Sequence, residues 1–257
     1  MQDLHYPKNF IDRLELVWGP GFMSPGGVEE VNRIVEGLDL SGRRVLDIGS
    51  GTGGPAIALA RDHGAYVVGI DVEPQLFERA DHHVAAAGLE QRVDLRLVEP
   101  GPLPFDDASF DVVFSKDSLI HFPDKPAVYA EILRVLRPDG PVAISDWLGG
   151  ENAASMASYQ RYDELAQLGF QLATRAETEA AMRLAGFVDV TSSDRHEWYA
   201  RLARLEAEQI AGPLRRQALE IIDEEIYDPW VEVRRALADA VDDGAIRPTL
   251  LRGFKPA

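Results

Sequence analysis

The chain of 257 residues is 46% hydrophobic and can bury a substantial core. It contains no cysteine, which excludes disulfides, thiolate metal sites and a cysteine nucleophile. Its formal net charge of −17 disfavours a nucleic-acid partner, because the 26 Lys and Arg residues form no basic run. No stretch reaches the roughly 20 apolar residues of a membrane-spanning helix, and the start lacks the layout of a signal peptide, so we expect a cytoplasmic protein without a membrane partner.

Apolar runs of strand length alternate with helical patterns along the chain. This alternation is typical of a parallel sheet with crossover helices. Seven strands are predicted, at residues 44–48, 66–70, 93–98, 111–115, 142–145, 188–192 and 249–255. The expected fold is therefore α/β, with a doubly wound, Rossmann-like seven-stranded sheet.

Capping residues and glycines predict where the helices begin and end. Ser24 followed by Pro25 is typical of an N-cap and a first helical turn. Thr174 and Glu177 have the spacing of a capping box, which opens a helix that ends at Gly186. Other boundaries give helices at residues 24–36, 54–63, 74–87 and 124–136, and a long charged helical region up to residue 243.

One segment breaks the alternation of strand and helix. Residues 149–171 have a helical pattern without a strand partner, which indicates an insertion that overhangs the carboxyl edge of the sheet. We expect a single domain made of an N-terminal lid (1–27), a cofactor-binding core (28–148), a helical insertion that caps the substrate (149–173), and C-terminal helices and strands (174–257).

A glycine-rich turn follows the first predicted strand. Gly49, Gly51 and Gly53 allow a tight turn and a close backbone approach, and the helix start behind them offers free N–H groups to a polar ligand. Ligands of doubly wound sheets bind at this loop. Asp71 follows about 20 residues later, where a carboxylate can accept both ribose hydroxyls. The spacing alone leaves a dinucleotide ligand open, because Gly54 also completes that pattern.

The turn at residues 47–54 resembles the first motif of class I S-adenosylmethionine-dependent methyltransferases. Residues 99–105 are similar to a second motif of that family, which ends in leucine-proline-phenylalanine. The resemblance implies that Asp47 lies near the methionine part of the cofactor and that Glu99, usually an aspartate in the family, contacts the adenine amino group. The residues that it assigns to S-adenosylmethionine and its product S-adenosylhomocysteine are Met23, Ser24, Asp47, Gly49, Ser50, Gly51, Gly53, Asp71, Val72, Glu99, Pro100 and Lys116.

Residues 18–27 and 115–121 sharpen the resemblance to phosphoethanolamine (phosphobase) N-methyltransferases. In that family a tyrosine and a histidine close over the cofactor and assist deprotonation of the amine, and an aspartate faces the amine. The resemblance gives these catalytic roles to Tyr6, His121 and Asp117. Histidine suits the role, because its ordinary pKa of about 6.5 lets it accept a proton at neutral pH.

The resemblance decays after Trp147, where the family binds phosphate with tyrosines, an arginine and a late lysine. An approximate continuation puts Trp147, Glu164, Leu168 and Phe170 at the tyrosine and arginine positions, and Lys255 at the lysine position. The carboxylate of Glu164 repels a phosphate. We therefore predict that Trp147, Glu164, Phe170 and Lys255 bind an acceptor without a phosphate group.

The function expected from these residues is methyl transfer from S-adenosylmethionine to the nitrogen of a small amine. Three alternatives stay open: O-methylation of a small hydroxylated or carboxylic metabolite, N-methylation of phosphoethanolamine itself, and a dinucleotide-binding oxidoreductase or noncatalytic nucleotide-binding module. No metal is expected, because the sequence has no obvious cluster of Asp, Glu and His at ligand spacing. The only expected partner is a small-molecule substrate, and the sequence leaves the oligomeric state open.

Overall fold

The structure, a computed structural model, describes residues 8–257. Its strands are β1 (Arg44–Ile48), β2 (Tyr66–Asp71), β3 (Val93–Leu97), β4 (Val112–Lys116), β5 (Pro141–Gly149), β6 (Val188–Asp194) and β7 (Ile246–Phe254). They form one seven-stranded sheet in the order β3-β2-β1-β4-β5-β7-β6, in which β7 is antiparallel to β5 and β6 and the other pairs are parallel. The predicted doubly wound fold is confirmed.

The helices of the described residues are α1 (Lys8–Trp18), α2 (Gly27–Ile34), α3 (Gly54–His63), α4 (Phe77–Ala86), α5 (Lys125–Val135), α6 (Ala157–Ala166), α7 (Arg175–Ala185), α8 (His196–Ala211), α9 (Arg215–Leu219) and α10 (Glu224–Asp242). Helices α2, α3 and α4 cover one face of the sheet, and α5 and α7 cover the other. Helices α6, α8 and α10 form a further layer with its own apolar core. Over the described part of the chain, no helix is long and apolar enough to cross a membrane.

Side-chain caps fix the starts of two helices, α5 and α7. The side chain of Asp124 accepts a hydrogen bond from the N–H of Ala127 at 3.0 Å and so caps α5. Thr174 and Glu177 form the predicted capping box of α7. Together they fix the starts of the two helices that cover one face of the sheet.

Ser24 behaves differently from its prediction as an N-cap. Helix α2 begins at Gly27, and Gly26, in the left-handed region at φ 89°, is its N-cap. The hydroxyl of Ser24 instead accepts a hydrogen bond from the ammonium of Lys116 at 2.5 Å. A tertiary contact has therefore displaced the local cap, and the predicted helix start was wrong.

Strand β5 is longer than the sequence predicts. Its nine residues pair with β7 from Pro141 opposite Phe254 to Gly149 opposite Ile246. The antiparallel partner satisfies backbone groups that the shorter parallel neighbour β4 leaves open. Strand β5 therefore carries Trp147 and Gly149 past the end of β4 towards the insertion.

The N-terminal segment meets the core through two glycines. The N–H of Gly54, the first residue of α3, donates to the carbonyl of Gly21 at 2.9 Å. The N–H of Gly21 donates to a carboxylate oxygen of Glu15 on α1 at 2.9 Å, and Arg79 on α4 donates to the other oxygen at 2.8 Å. This junction therefore fixes the N-terminal segment against the start of α3.

We predict that Gly54→Ala destabilises the protein by about 1–3 kcal/mol, as overpacking does in close-packed sites. A Cβ on Gly54 would lie 2.4 Å from the carbonyl oxygen of Gly21, and this backbone atom has little room to move. The measurement is urea unfolding. Gly149→Ala is the comparison, because its Cβ would meet side-chain carbons at 3.3 and 3.4 Å and a backbone oxygen only at 3.9 Å. Equal stability of the two variants would contradict the tight junction.

Candidate active site

A cavity of about 640 Å³ opens where the parallel strands end. The loops after β1, β2 and β3 line one part of it, which we call the cofactor half. Helices α1 and α10, with α6 and the loop that follows α6, line the other part, which we call the acceptor chamber. The ends of β4 and β5 lie between the two parts. This is the edge at which doubly wound folds bind ligands.

The glycine turn after β1 is closed by hydrogen bonds to the end of β2. The N–H groups of Gly49 and Ser50 donate to the carbonyl of Ile70 at 2.9 and 3.0 Å. The N–H of Gly51 donates to the carboxylate of Asp71 at 2.9 Å. Glycine is required at position 49, because φ is 76° and a Cβ there would lie 1.9 Å from the hydroxyl oxygen of Ser118.

Asp71 organises the start of the loop after β2. One carboxylate oxygen accepts hydrogen bonds from the N–H groups of Val72 and Glu73 at 2.8 and 3.1 Å, while the other accepts from Gly51. Burial raises the pKa of Asp71, and these three hydrogen bonds oppose the rise. The carboxylate therefore joins the β1 and β2 loops at the floor of the cofactor half.

Asp47 is fully buried below the glycine turn. Neither of its carboxylate oxygens has a hydrogen-bond partner among the described residues. Burial and the charge of Asp71 raise the pKa of Asp47 to about 8, against the opposing charge of Lys116. The hydroxyls of Ser50 and Thr52 are also buried without partners in this part of the chain. These unpaired groups fit a site that is completed by a polar, cationic ligand group.

Lys116 connects the end of β4 to the N-terminal segment. Its buried ammonium donates to the hydroxyl of Ser24, to the carbonyl of Pro25 at 2.8 Å and to the carboxylate of Asp117 at 3.1 Å. Met23 covers the turn, since its sulfur would lie 3.2 Å from a Cβ on Gly51. The segment before α2 is thus held over the glycine turn.

Asp117 and His121 lie on the loop after β4 and both line the cavity. Asp117 has a left-handed backbone at φ 56°, and its carboxylate accepts a hydrogen bond from the hydroxyl of Ser145 at 2.8 Å. His121 ends a 3-10 turn, and its ring contacts that of Phe170 with centroids 5.4 Å apart. Burial, and then the charge of Lys125, lower the pKa of His121 to about 4. The imidazole is therefore neutral at pH 7.

The acceptor chamber is mainly apolar. Aromatic and aliphatic side chains from separate elements line it: Phe10, Leu14, Trp18, Trp147, Tyr162, Leu165, Leu168, Phe170, Ile226, Trp230 and Val233. The rings of Trp147 and Phe170 meet edge to face with centroids 5.7 Å apart. Sequence reasoning missed the contributions of α1 and α10. The four-residue spacing of Phe10, Leu14 and Trp18 on one helix face was the available signal.

Two arginines also line the chamber. Arg234 is buried and donates to Glu206 at 2.5 Å, while the indole N–H of Trp18 donates to the other oxygen of that carboxylate at 2.7 Å. Arg13 stacks between aromatic rings, 5.2 Å from that of Phe10 and 5.5 Å from that of Trp230. The charge of Arg234 is thus neutralised by Glu206. Because Trp18 donates to the same carboxylate, these contacts join α1 to α8 and α10.

Most of the predicted site residues come together at this cavity. Those that line it are Met23, Ser24, Gly49, Gly51, Asp71, Val72, Glu99, Pro100, Lys116, Asp117, His121, Trp147 and Phe170. Asp47, Ser50 and Gly53 belong to the turn and its support but do not line the cavity itself. Tyr6 lies outside the described residues, so its role remains a prediction.

Two predicted acceptor residues lie elsewhere. Glu164 is exposed on α6 and does not line the cavity, whereas the next residue, Leu165, does. The ammonium of Lys255 donates to the backbone carbonyls of Leu136 and Arg134 at 2.7 and 3.3 Å. Lys255 follows β7 beside the amino end of β5, because its N–H donates to Gly140. It therefore lies at the sheet edge opposite the cavity, and both predictions were wrong.

Known proteins share this chain's sequence pattern and fold. A family model described as a methyltransferase domain matches residues 46–144. 27-O-demethylrifamycin SV methyltransferase of Amycolatopsis mediterranei is 30% identical over 96% of this chain and 94% of its own length. Phosphoethanolamine N-methyltransferase 1 of Arabidopsis thaliana is 32% identical over 82% of this chain but 42% of its own length. The chain thus spans about two fifths of the length of the first curated relatives it matches.

A solved structure gives the corresponding similarity in three dimensions. Haemonchus contortus phosphoethanolamine N-methyltransferase 2, in complex with phosphomonomethylethanolamine and S-adenosylhomocysteine, matches with a TM-score of 0.90. Its sequence identity is 26%, and the match covers 99% of this chain and 59% of that one. A second structure of the same protein is a complex with S-adenosylmethionine.

The residues of the cofactor half fit S-adenosylmethionine. Its ammonium and sulfonium are cationic, which suits the unpaired carboxylate of Asp47, and its ribose hydroxyls suit Asp71. Glu99 lines the same half, where the resemblance assigns it to the adenine. Among residues 8–257 no group of three or more His, Asp and Glu side chains could hold a metal ion.

We predict that binding of S-adenosylmethionine at pH 7 releases about one proton from Asp47. With its pKa raised to about 8 this carboxyl is mostly protonated in the free protein, and a cationic ligand favours its ionised form. Calorimetry in buffers of different ionisation enthalpy measures the release. Asp47→Asn removes it, while Asp62→Asn, in an exposed ion pair with Arg61, retains it. If the unmodified protein bound S-adenosylmethionine without releasing a proton, the carboxyl of Asp47 could not be protonated in the free protein.

Proposed function

The chain belongs to the class I S-adenosylmethionine-dependent methyltransferases, and on that premise we propose that it methylates a hydroxyl group on a bulky, mainly apolar acceptor. The bound cofactor supplies an electrophilic methyl group: a carbon–oxygen bond to the acceptor forms, the carbon–sulfur bond breaks with its electrons on sulfur, and S-adenosylhomocysteine remains. His121 takes the hydroxyl proton. The observation that carries the proposal is the apolar acceptor chamber next to a neutral histidine.

The state of His121 suits it to a transient proton acceptor. With a pKa of about 4 the ring is unprotonated across the physiological range, so its lone pair is available. A hydroxyl becomes strongly acidic as its oxygen gains a carbon, so a weak base suffices once the new bond has begun to form. The buried imidazolium, with a pKa of about 4, is unstable and releases the proton to solvent water after the transfer. One ring nitrogen, Nδ1, is buried without a partner among the described residues. The pairing of Tyr6 with His121, which the resemblance implies, is kept as part of the proposal.

The acceptor chamber favours an apolar molecule over a phosphobase. A phosphate dianion needs several cationic donors, yet Arg234 is already paired with Glu206 and Arg13 is a single cation between aromatic rings. Burial of apolar acceptor surface contributes about 25 cal/mol per Å². These features support the proposal of an acceptor without phosphate, with Trp147 and Phe170 among the chamber walls.

The relative that matches this chain over nearly its whole length supports oxygen as the acceptor atom. Its name specifies an O-demethylated substrate, 27-O-demethylrifamycin SV. The phosphoethanolamine N-methyltransferases match only part of their own length. The similarity covers 96% of this chain and so extends to the helices that form the acceptor chamber here, as does the similarity to the Haemonchus contortus structure, which covers 99% of the chain.

A nitrogen acceptor is the second candidate, because Asp117 lines the cavity beside His121. A carboxylate at this position can orient an amine, as the resemblance to phosphobase N-methyltransferases implies. Two donors already compensate this carboxylate, the Lys116 ammonium at 3.1 Å and the Ser145 hydroxyl at 2.8 Å. That pairing weakens the attraction for a cation, so we rank the amine below the hydroxyl.

An acceptor panel with radiolabelled S-adenosylmethionine tests the proposal. We expect estradiol and 2-naphthol, as rigid apolar alcohols, to give higher kcat/KM values than ethanolamine and phosphoethanolamine. Naphthylmethylamine, compared with naphthylmethanol, separates nitrogen from oxygen at constant bulk. A preference for phosphoethanolamine would refute the apolar acceptor, and a preference for naphthylmethylamine would select the second candidate.

We predict that Leu165→Ala raises KM for the apolar alcohols several-fold, since the loss of three carbons that a bound acceptor would cover costs about 2 kcal/mol at most. Leu165 lines the chamber and is 37% exposed, so truncation leaves the fold intact. The matched control is Glu164→Ala, one residue away on the exposed face of α6. Equal KM values for the two variants would contradict the assigned wall.

We predict that His121→Ala lowers kcat about 10²–10⁴-fold, the usual contribution of a general base, and leaves the Kd of S-adenosylmethionine nearly unchanged. The control is His63→Ala, on the exposed end of α3, where the ring contacts Asn32. Steady-state kinetics and calorimetry measure the two quantities. Parallel losses in kcat and cofactor affinity would reassign His121 to a structural role.

A further inference from the structure

The 3-10 turn Leu119–His121 is held at its backbone by two buried ionisable side chains, Lys125 and Asp146, and burial raises the pKa of Asp146 to about 7. The ammonium of Lys125, at the first position of α5, donates to the carbonyl of Leu119. The N–H of Ile120 donates to a carboxylate oxygen of Asp146 on β5 at 3.0 Å. Lys125 and Asp146 are 9% and 1% exposed. The turn that carries His121 is therefore fixed from both a helix and a strand.

The two charges do not form a close ion pair with each other. The Lys125 nitrogen lies 4.0 Å from the nearer Asp146 oxygen, beyond hydrogen-bonding distance. Their nearest hydrogen-bond partners are instead the backbone groups of the turn. A buried ion pair is seldom a net source of stability compared with apolar residues of the same volume. The need to hold the backbone of the turn in place explains why Lys125 and Asp146, and not apolar residues, occupy these positions.

We propose that Lys125 and Asp146 are positioning residues, which hold the turn Leu119–His121 so that the His121 ring faces the reacting centre. This proposal rests on the general-base role proposed for His121. The carbonyl of Ile120 also accepts the N–H of Gln171 at 2.9 Å, so the loop after α6 is attached to the same turn. The pair thus connects the base to a wall of the acceptor chamber.

The charges around the turn give the pair a second effect. The charged and titratable groups that face it are Lys125 and Tyr129 from α5, Asp146 from β5 and Asp117 after β4. Lys125 lowers the pKa of His121, whereas burial and the carboxylate of Asp146 raise that of Tyr129. Removal of the lysine charge is therefore expected to move the pKa of His121 upward.

The test compares Lys125→Met, Lys125→Arg and Asp146→Asn in the full chain with S-adenosylhomocysteine bound. Imidazole NMR titration reports the pKa of His121, which His121→Ala assigns, and amide exchange reports the Ile120 hydrogen bond. Lys125→Met is expected to raise that pKa and to speed Ile120 exchange about tenfold. Lys125→Arg restores both values. Asp146→Asn keeps an acceptor for Ile120 and the lysine charge, so it does not raise the pKa.

The control for a merely structural lysine is Lys255→Met. Its ammonium also donates to two backbone carbonyls, but at the opposite edge of the sheet. It is expected to lower Tm without changing either readout at the turn. If Lys125→Met also lowered Tm while His121 and Ile120 stayed unchanged, the positioning role would be overturned.

Turnover on the best alcohol of the panel adds a test of how the lysine acts. Lys125→Met is expected to lower kcat about 10²-fold, the usual effect of a small displacement of a catalytic group. In the His121→Ala background it should cost nothing further, because it acts through that ring. If His121→Ala kept its full kcat, the general-base role of His121 would be refuted. The NMR measurements would then still decide whether Lys125 positions the turn. An additive loss in the double variant would overturn the positioning role alone.

Discussion

The hydrogen bonds between the glycine turn and the end of β2 are the constraint on which the rest of the site depends. Three successive N–H groups of the turn reach the carbonyl of Ile70 and the carboxylate of Asp71. They fix the position of the glycine turn relative to the sheet. This position places Gly54, at the start of α3, against Gly21 of the N-terminal segment. A shift of the β1 and β2 ends would therefore move both the cofactor half and its cover.

Charge is distributed so that the floor of the cavity is acidic and its cover is attached by a cation. Asp47 and Asp71 lie below the turn, where burial raises the pKa of both, and the charge of Asp71 raises that of Asp47 further. Lys116 directs its ammonium to Ser24 and Pro25 of the cover and to Asp117. A cationic cofactor bound between the floor and the cover stabilises the ionised carboxylates of Asp47 and Asp71. It does so without taking the place of any partner of Lys116.

Local patterns predicted the sheet and the cofactor half, because both depend on short-range chemistry. Each of these signals can be recognised from a few neighbouring residues: the alternation of strands and helices, the glycines of the turn, and the carboxylate after β2. The prediction of Ser24 as an N-cap was wrong because its hydrogen-bond partner, Lys116, lies 92 residues away in sequence. Lys255 was misassigned because its place follows from the antiparallel register of β7, which no local pattern fixes. The contributions of α1 and α10 to the acceptor chamber escaped prediction for the same reason, since these helices meet α6 only in three dimensions.

The interaction of α1 with the C-terminal helices makes the acceptor chamber dependent on the lid. Trp18 of α1 donates to Glu206 of α8, which also binds Arg234 of α10, and the guanidinium lies 4.9 Å from the centre of the Trp18 ring. Loss of the Trp18 contacts would leave the buried Glu206 and Arg234 with fewer partners, which is costly for buried charges. A docked lid is therefore favoured by the chamber's own charges, whereas Lys116 attaches the same segment over the cofactor half. One segment, made of α1 and the residues that follow it, therefore contributes walls to both halves of the cavity.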